Sequence, residues 1–288
     1  MNKKKTIQEL TIKDNFMFGA VMCDENNCTP FLEMVLGFPI KRLVISKEKS
    51  MLYHPEYKGV RLDIYANDEK NTHYNVEMQV SRKPALGRRA RYYHSQVDME
   101  LLESGEGYEN LPNAFVIFVC DFDPFGEKRY CYTFENRCLE NGKLPIGDGC
   151  RTIFLSTKGE NPQEVSAGLV KFLNFVAADL EESEKDFEDT YVKQLQNSVL
   201  DIKRSREMGE RYMTLEEWLR DEKEEGRREG KRELIFEFLK EFGTIPKELE
   251  EKINGLEDEE GLKLLVKKAA KADSLESFEK EAGQLFLS

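Results

Sequence analysis

Histidine is scarce in this chain: 288 residues hold only His54, His73 and His94. The six cysteines, Cys23, Cys28, Cys120, Cys131, Cys138 and Cys150, form no CxxC pair. These two shortages argue against a zinc site, which draws closely spaced ligands from both residue types. Free thiols in a reducing compartment are expected instead. No window approaches the roughly 20 apolar residues of a membrane span. The basic start, Met1 to Lys5, is not followed by the apolar run of a secretory leader. The expectation is a soluble, cytoplasmic protein without a membrane partner. Gly142, Gly147 and Gly149 do not match a phosphate-cradling spacing, and no repeat is long enough for a solenoid. An excess of positive charge is also missing, since 43 Lys and Arg against 55 Asp and Glu leave a net charge of −12. That excludes a surface coated for nucleic acid but leaves room for a local basic strip.

What is present centres on residues 59 to 80, GVRLDIYANDEKNTHYNVEMQV. Two runs of period-2 alternation flank a polar turn, Asn67 to Thr72, which predicts two antiparallel strands. On the first, Val60, Leu62 and Ile64 share a face and Arg61, Asp63 and Tyr65 the other. On the second, Val76, Met78 and Val80 oppose Asn75, Glu77 and Gln79. A turn centred near Lys70 places Asp63 opposite Glu77, with Gln79 one step along. Two acids facing each other across a strand pair repel. Either both are solvated on an ordinary wet sheet face, or a cation lies between them. A hard divalent ion such as Mg²⁺ is held by one or two carboxylates and keeps several waters.

Asp63 followed one hairpin later by Glu77-Met78-Gln79 resembles the core of the PD-(D/E)XK nucleases. It is most similar to their Rpn-type branch, recombination-promoting nucleases also described as transposases. The resemblance includes Asp14-Asn15-Phe16-Met17-Phe18, Arg89-Ala90-Arg91-Tyr92-Tyr93 and Gly105-Glu106-Gly107-Tyr108. It extends to Cys120-Asp121-Phe122-Asp123-Pro124-Phe125-Gly126 and Tyr132-Thr133-Phe134-Glu135-Asn136-Arg137-Cys138. It covers roughly residues 10 to 160, with a looser likeness beyond. The chain departs from the wider superfamily at Gln79, where lysine is usual. The resemblance implies an α/β (α+β) fold: a restriction-endonuclease-like core with a central mixed β-sheet flanked by helices. To this the chain adds a C-terminal helical extension. The expected divisions are a nuclease-like core over 1–160, a helical segment packed on it over 161–200, a charged helix or linker over 201–240, and a small helical module over 241–288.

Along the chain, Asp14 precedes Phe16, Phe18, Val21 and Met22 and fits the N-cap of a helix. The alternative is that Asp14 reaches the metal site as an additional acid. A second helix is expected after Thr29-Pro30, ending at Gly37, with Glu33 on it. Residues 41 to 53 read as the first strand. After the hairpin, Leu86, Ala90, Tyr93, Val97 and Leu101 recur at helical spacing and predict a core-facing stripe. Arg82, Lys83, Arg88, Arg89 and Arg91 cluster at the start of this helix, where the helix dipole disfavours cations. They are the candidate DNA-binding strip, holding phosphates without reading bases; the bland reading is solvation or pairing with acids. The apolar run to Asp121 predicts a buried strand, Tyr130–Phe134 an edge strand or hairpin partner, and Ile153–Leu155 a last short one. Residues 139–152 read as a loop. Residues 162–200 follow a helical pattern, with Leu169, Phe172, Leu173, Phe175 and Val176 on one face. The charge-laced stretch to Lys240 predicts a long exposed helix.

By resemblance, Asp63 and Glu77 are the metal ligands, and Asp63, Glu77 and Gln79 the catalytic set. The cofactor is Mg²⁺, or Mn²⁺ or Ca²⁺, and the substrate is DNA. The ion would polarise a phosphodiester oxygen and activate a water. Gln79 can orient a water through its carbonyl, but positive charge must come from the metal or a neighbour such as Lys83 or Arg89. The competing class is a catalytically weak or inactive nuclease-fold protein. It would bind DNA or protein partners, or assemble into a homo-oligomer, through its charged C-terminal helices.

Overall fold

The computed structural model describes residues 5–47, 50, 51, 60–283, 285 and 286. Residues 48, 49, 52 and 53 of the expected first strand, Gly59 at the hairpin's start and His54 lie outside the described residues, as do residues 1–4 of the lead-in. The chain divides into two compact units, residues 1–209 and 210–288.

The first unit is built on β-strands β1 (Leu43–Lys47), β2 (Ser50–Met51), β3 (Val60–Arg61), β4 (Ile64–Asp68), β5 (His73–Gln79), β6 (Ala114–Cys120), β7 (Cys131–Phe134) and β8 (Cys150–Ser156). Six of them form one sheet in the order β1-β4-β5-β6-β8-β7, while β2 and β3 form a separate two-stranded sheet. The sheet is mixed: β5, β6 and β8 run parallel, and the remaining neighbours are antiparallel. The run AFVIFVC is buried throughout as β6, the pattern of a strand covered on both faces. Strand β7 lies at the edge as expected. Strand β8 is longer than the three residues expected and sits inside the sheet. Its first residues, Cys150 to Thr152, are polar and partly exposed, so the apolar signal begins only at Ile153.

The hairpin register agrees with its sequence reading: Ile64 faces Val76 and Tyr65 faces Asn75. The first strand, however, is broken. Val60–Arg61 leaves the main sheet to pair with β2, and the chain bends at Asp63. Alternation is interrupted there, so Leu62 joins the same buried cluster as Tyr65 instead of sharing a face with Ile64.

Helix α1 (Asn15–Met22) starts after Asp14, but the Asp14 side chain caps no helical N–H. Helix α2 (Glu25–Leu36) begins five residues before Pro30, capped by the Asp24 carboxylate on the Asn26 amide. Pro30 lies inside it and cannot donate to the Asn26 carbonyl. The Gln194 side-chain amide fills that place at 2.8 Å. Gly37 closes α2 at φ +76°, a left-handed conformation that suits glycine. Helix α3 (Leu86–Leu101) packs Ala90, Tyr93 and Val97 on the sheet face carrying Val116, Phe118 and Phe154. Helices α4 (Ala167–Ala177) and α5 (Thr190–Arg204) join α1 and α2, with Phe31 against Phe172 at 5.1 Å.

Helix α6 (Arg206–Lys240) runs from the end of the first unit into the second. In the second unit, Ile235 and Leu239 of α6 form a core with α7 (Lys247–Asn254), α8 (Glu259–Ala269) and α9 (Leu275–Ala282). Leu249, Ile253, Leu262, Leu265 and Phe278 fill it, with Leu256 half-buried against them. Among the described residues no helix is long and apolar enough to cross a membrane.

Candidate active site

The site forms where β5 ends beneath the N-terminal half of α3. Odd-numbered residues of β5 point toward the helix, beside Val116, Phe118 and Cys120 of β6. Asn75, Glu77 and Gln79 are 1%, 1% and 4% exposed, so this is not a wet sheet face. A bare carboxylate in such a place is costly, and the surroundings compensate. Glu77 Oε1 accepts the Asp63 amide at 3.3 Å, and Oε2 accepts Arg89 Nη2 at 2.7 Å and the Tyr93 hydroxyl at 3.3 Å.

Asp63 is held by the break in its own strand. Because the chain bends there, Met78 N–H has no strand partner on that side, and Asp63 Oδ2 accepts it at 3.1 Å. The two acids are thus locked reciprocally: the amide of one strand meets the carboxylate of the other. Burial, and next the negative charge of Asp63, push the Glu77 carboxyl up from 4.5 to about 7; Arg89 acts in the opposite direction. The Asn75 amide also helps hold Glu77 charged, yet neither of its buried amide atoms closes a hydrogen bond of normal geometry.

Arg89 is turned into the site. Besides Glu77, it donates through Nη1 to Gln79 Oε1 at 2.8 Å and through Nε to the Tyr93 hydroxyl at 2.5 Å. Its guanidinium lies over the Tyr93 and Phe118 rings. Gln79 Nε2 in turn donates to the Ser81 carbonyl at 3.0 Å. Arg82, Lys83, Arg88 and Arg91 are exposed, and Arg82 also donates to the Asp123 carbonyl and lies over Phe122. The five clustered cations therefore divide: four face solvent, one of these laid on a loop, and the fifth belongs to the acidic site.

The remaining acids have partners elsewhere. Asp14 accepts the Thr11 amide at 2.7 Å and pairs with Lys5 at 2.8 Å. Glu33 accepts the Ile40 amide, Asp121 pairs with Lys13 and Lys158, and Asp123 closes its own loop. Two members of the site carried no sequence signal of their own. Tyr93 read as part of the apolar stripe, though its i, i+4 spacing from Arg89 is a pairing distance on a helix. Asn75 shares its face with Glu77 by alternation alone.

The sequence pattern of PD-(D/E)XK nuclease family transposases matches residues 12–229. This chain belongs to that family. The match runs from before α1 through most of α6, farther than the roughly 150 residues whose motifs carry the resemblance. No curated protein and no solved structure matches the chain. The mixed six-stranded sheet with flanking helices is the restriction-endonuclease-like architecture of the PD-(D/E)XK fold. Membership points to a nuclease or mobile-element function.

The donor set fits the kind of ion that PD-(D/E)XK nucleases generally use. Two carboxylates face each other, one buried and one half-buried, and their repulsion is what a divalent cation would relieve. Among the described residues no three His, Cys, Asp or Glu side chains converge. A cation held here would therefore keep part of its water shell, as Mg²⁺ does. The amide of Asn75, buried beside Glu77, carries an oxygen that such an ion could take.

Proposed function

We propose that this chain is a divalent-metal-dependent DNA endonuclease in which Asp63 and Glu77 hold the ion. The observation that carries this reading is the burial of Glu77 directly against Asp63. A sheet has no structural reason to bury an acid beside another acid, and functional sites are where such perturbed groups cluster. When bound, a divalent cation supplies Lewis-acid polarisation of a phosphate oxygen and a lowered pKa for an attacking water. The chain's own residues do the rest. Met78 N–H fixes the Asp63 carboxylate, and the Asp63 amide, Tyr93 and Arg89 fix Glu77. Lys83, Arg88 and Arg91 offer exposed charge beside the site for backbone phosphates, which positions a duplex without reading its sequence. The product is a nicked or broken strand. Service in recombination or in mobile elements, and the narrower Rpn-type assignment, rest on the family and on the motifs that carry the resemblance.

Supercoiled plasmid incubated with Mg²⁺, Mn²⁺ or Ca²⁺, and with chelator, tests this directly. The expected result is nicking with Mg²⁺ or Mn²⁺ that chelator abolishes and that Asp63→Ala and Glu77→Ala both lose. Equal activity in wild type and both variants, or none in any of them, would sink the reading.

A further inference from the structure

Gln79 lies in the site without charge, and both ends of its side chain are held. Its oxygen accepts from Arg89, its nitrogen donates to the Ser81 carbonyl, and only 4% of the residue is exposed. A side chain pinned at both ends and covered has no free path to a substrate. What it touches does. Arg89 is 32% exposed and carries five N–H donors in a rigid plane. Three are engaged, by Tyr93, Gln79 and Glu77. Two remain, on the two terminal nitrogens.

We propose that Arg89 is the cation that meets the scissile phosphate in this site, and that Gln79 is a positioning residue that aims it. The proposal rests on the nuclease reading. Three observations support it. First, the guanidinium is held from four sides: by a carboxylate, an amide oxygen, a hydroxyl, and the ring faces of Tyr93 and Phe118. Only one of these anchors, Glu77, would be shared with a metal, so a cation on Glu77 leaves Arg89 in place. Second, Arg89 sits in the first turn of α3, where the helix dipole disfavours positive charge, and a solvated arginine would gain nothing by turning inward there. Third, guanidinium matches phosphate with paired N–H donors, and Nη2, which keeps one of the two free N–H groups, lies against Glu77 at 2.7 Å. The single substrate contact is thus assigned to Arg89, and Gln79 acts through it.

A double-mutant cycle on plasmid nicking tests this. Arg89→Ala is expected to lose about 100-fold or more, as for removal of one preorganised donor. Gln79→Ala is expected to lose about 10-fold, as for a supporting shell residue. Arg89→Ala combined with Gln79→Ala should be no slower than Arg89→Ala alone, because a residue that acts only through Arg89 has nothing left to aim. Losses that multiply would overturn the assignment of Gln79. Full activity in Arg89→Ala while Asp63→Ala is dead would overturn the assignment of Arg89 and leave the nuclease reading standing. An inert wild type indistinguishable from Asp63→Ala would remove both.

A second readout needs no cleavage. In chelator, binding of a fluorescein-labelled DNA duplex should show a salt slope shallower by about one in Arg89→Ala, and Arg89→Lys should recover it. An unchanged slope counts against phosphate contact. Added guanidinium ion should restore nicking to Arg89→Ala and not to Asp63→Ala, which a purely structural role for Arg89 would not produce. Should Arg89→Ala fail to fold, Arg89→Lys carries the same test: it keeps the charge but loses the fork, and is expected to retain duplex binding while nicking falls. Unimpaired nicking in Arg89→Lys would show that Gln79 aims nothing.

Discussion

At the scale of single residues, Glu77 is the group whose chemistry reaches farthest. Burial and Asp63 raise its carboxyl to about 7, so between 4.5 and 7 the folded chain holds a proton that the unfolded chain has released. Stability from this group is therefore full below about 4.5 and is lost as pH rises through 7. In chelator, urea unfolding between pH 5 and 8 should show wild type losing more stability than Glu77→Gln, so that the difference between them moves in the variant's favour. A difference that moves the other way would contradict the buried, proton-retaining Glu77. Adding Mg²⁺ should shrink the effect, because a bound cation favours the charged form.

The two acids were legible in the sequence because alternation is strict on β5 and the register follows from the turn. Arg89 was legible only as a member of a basic cluster. Nothing in residues 82–91 says which cation turns inward. That depends on where α3 lies on the sheet, and the contacts between Arg89 and Glu77 or Gln79 cross twelve and ten residues.

At the scale of elements, the β4–β5 turn is what brings Asp63 to Glu77. Asp68 is buried and its carboxylate takes the amides of Lys70 and Thr72 and the hydroxyl of Tyr74, at 2.9, 2.8 and 2.7 Å. Removing it leaves three donors without an acceptor. Asp68→Ala should cost about 2–3 kcal/mol in chemical denaturation, in the range of hydrogen bonds to charged groups. A loss below about 0.5 kcal/mol would show that the turn holds without it. Helix α2 carries a second test. Its proline gap is filled by Gln194, so Gln194→Ala should destabilise by about 1 kcal/mol, while Pro30→Ala combined with Gln194→Ala should recover part of that loss by restoring the helical bond to Asn26. Equal stability in all three chains would contradict this role for Gln194.

The same helix shows why part of the fold escaped sequence reasoning. Pro30 marks a helix start by preference, and the donor that permits it mid-helix lies on α5, 168 residues from the Asn26 carbonyl it serves. The break at Leu62–Asp63 was hidden in the same way: period 2 runs through Val60, Leu62 and Ile64, and only the change of partner strand interrupts it.

At the scale of the whole molecule, the chain divides within α6, whose middle carries alternating charge and is largely exposed. Limited proteolysis should first cut between about residues 213 and 231, where little packing protects the backbone, and leave two resistant fragments. Early cuts within β5, β6 or α8 would contradict the two-unit division. The helical module was readable from its apolar spacing, since its contacts are local. The sheet order was not, because parallel neighbours β5, β6 and β8 are joined by long connections that leave no mark in the pattern.

The central claim is that Asp63 and Glu77 form a cation site. Anomalous scattering from crystals soaked in Mn²⁺ tests it most directly. One strong peak is expected within coordination distance of both carboxylates, with Arg89 still on Gln79, and no such peak in Asp63→Ala. A map empty at the hairpin, or a peak bound only by acids elsewhere, would contradict it.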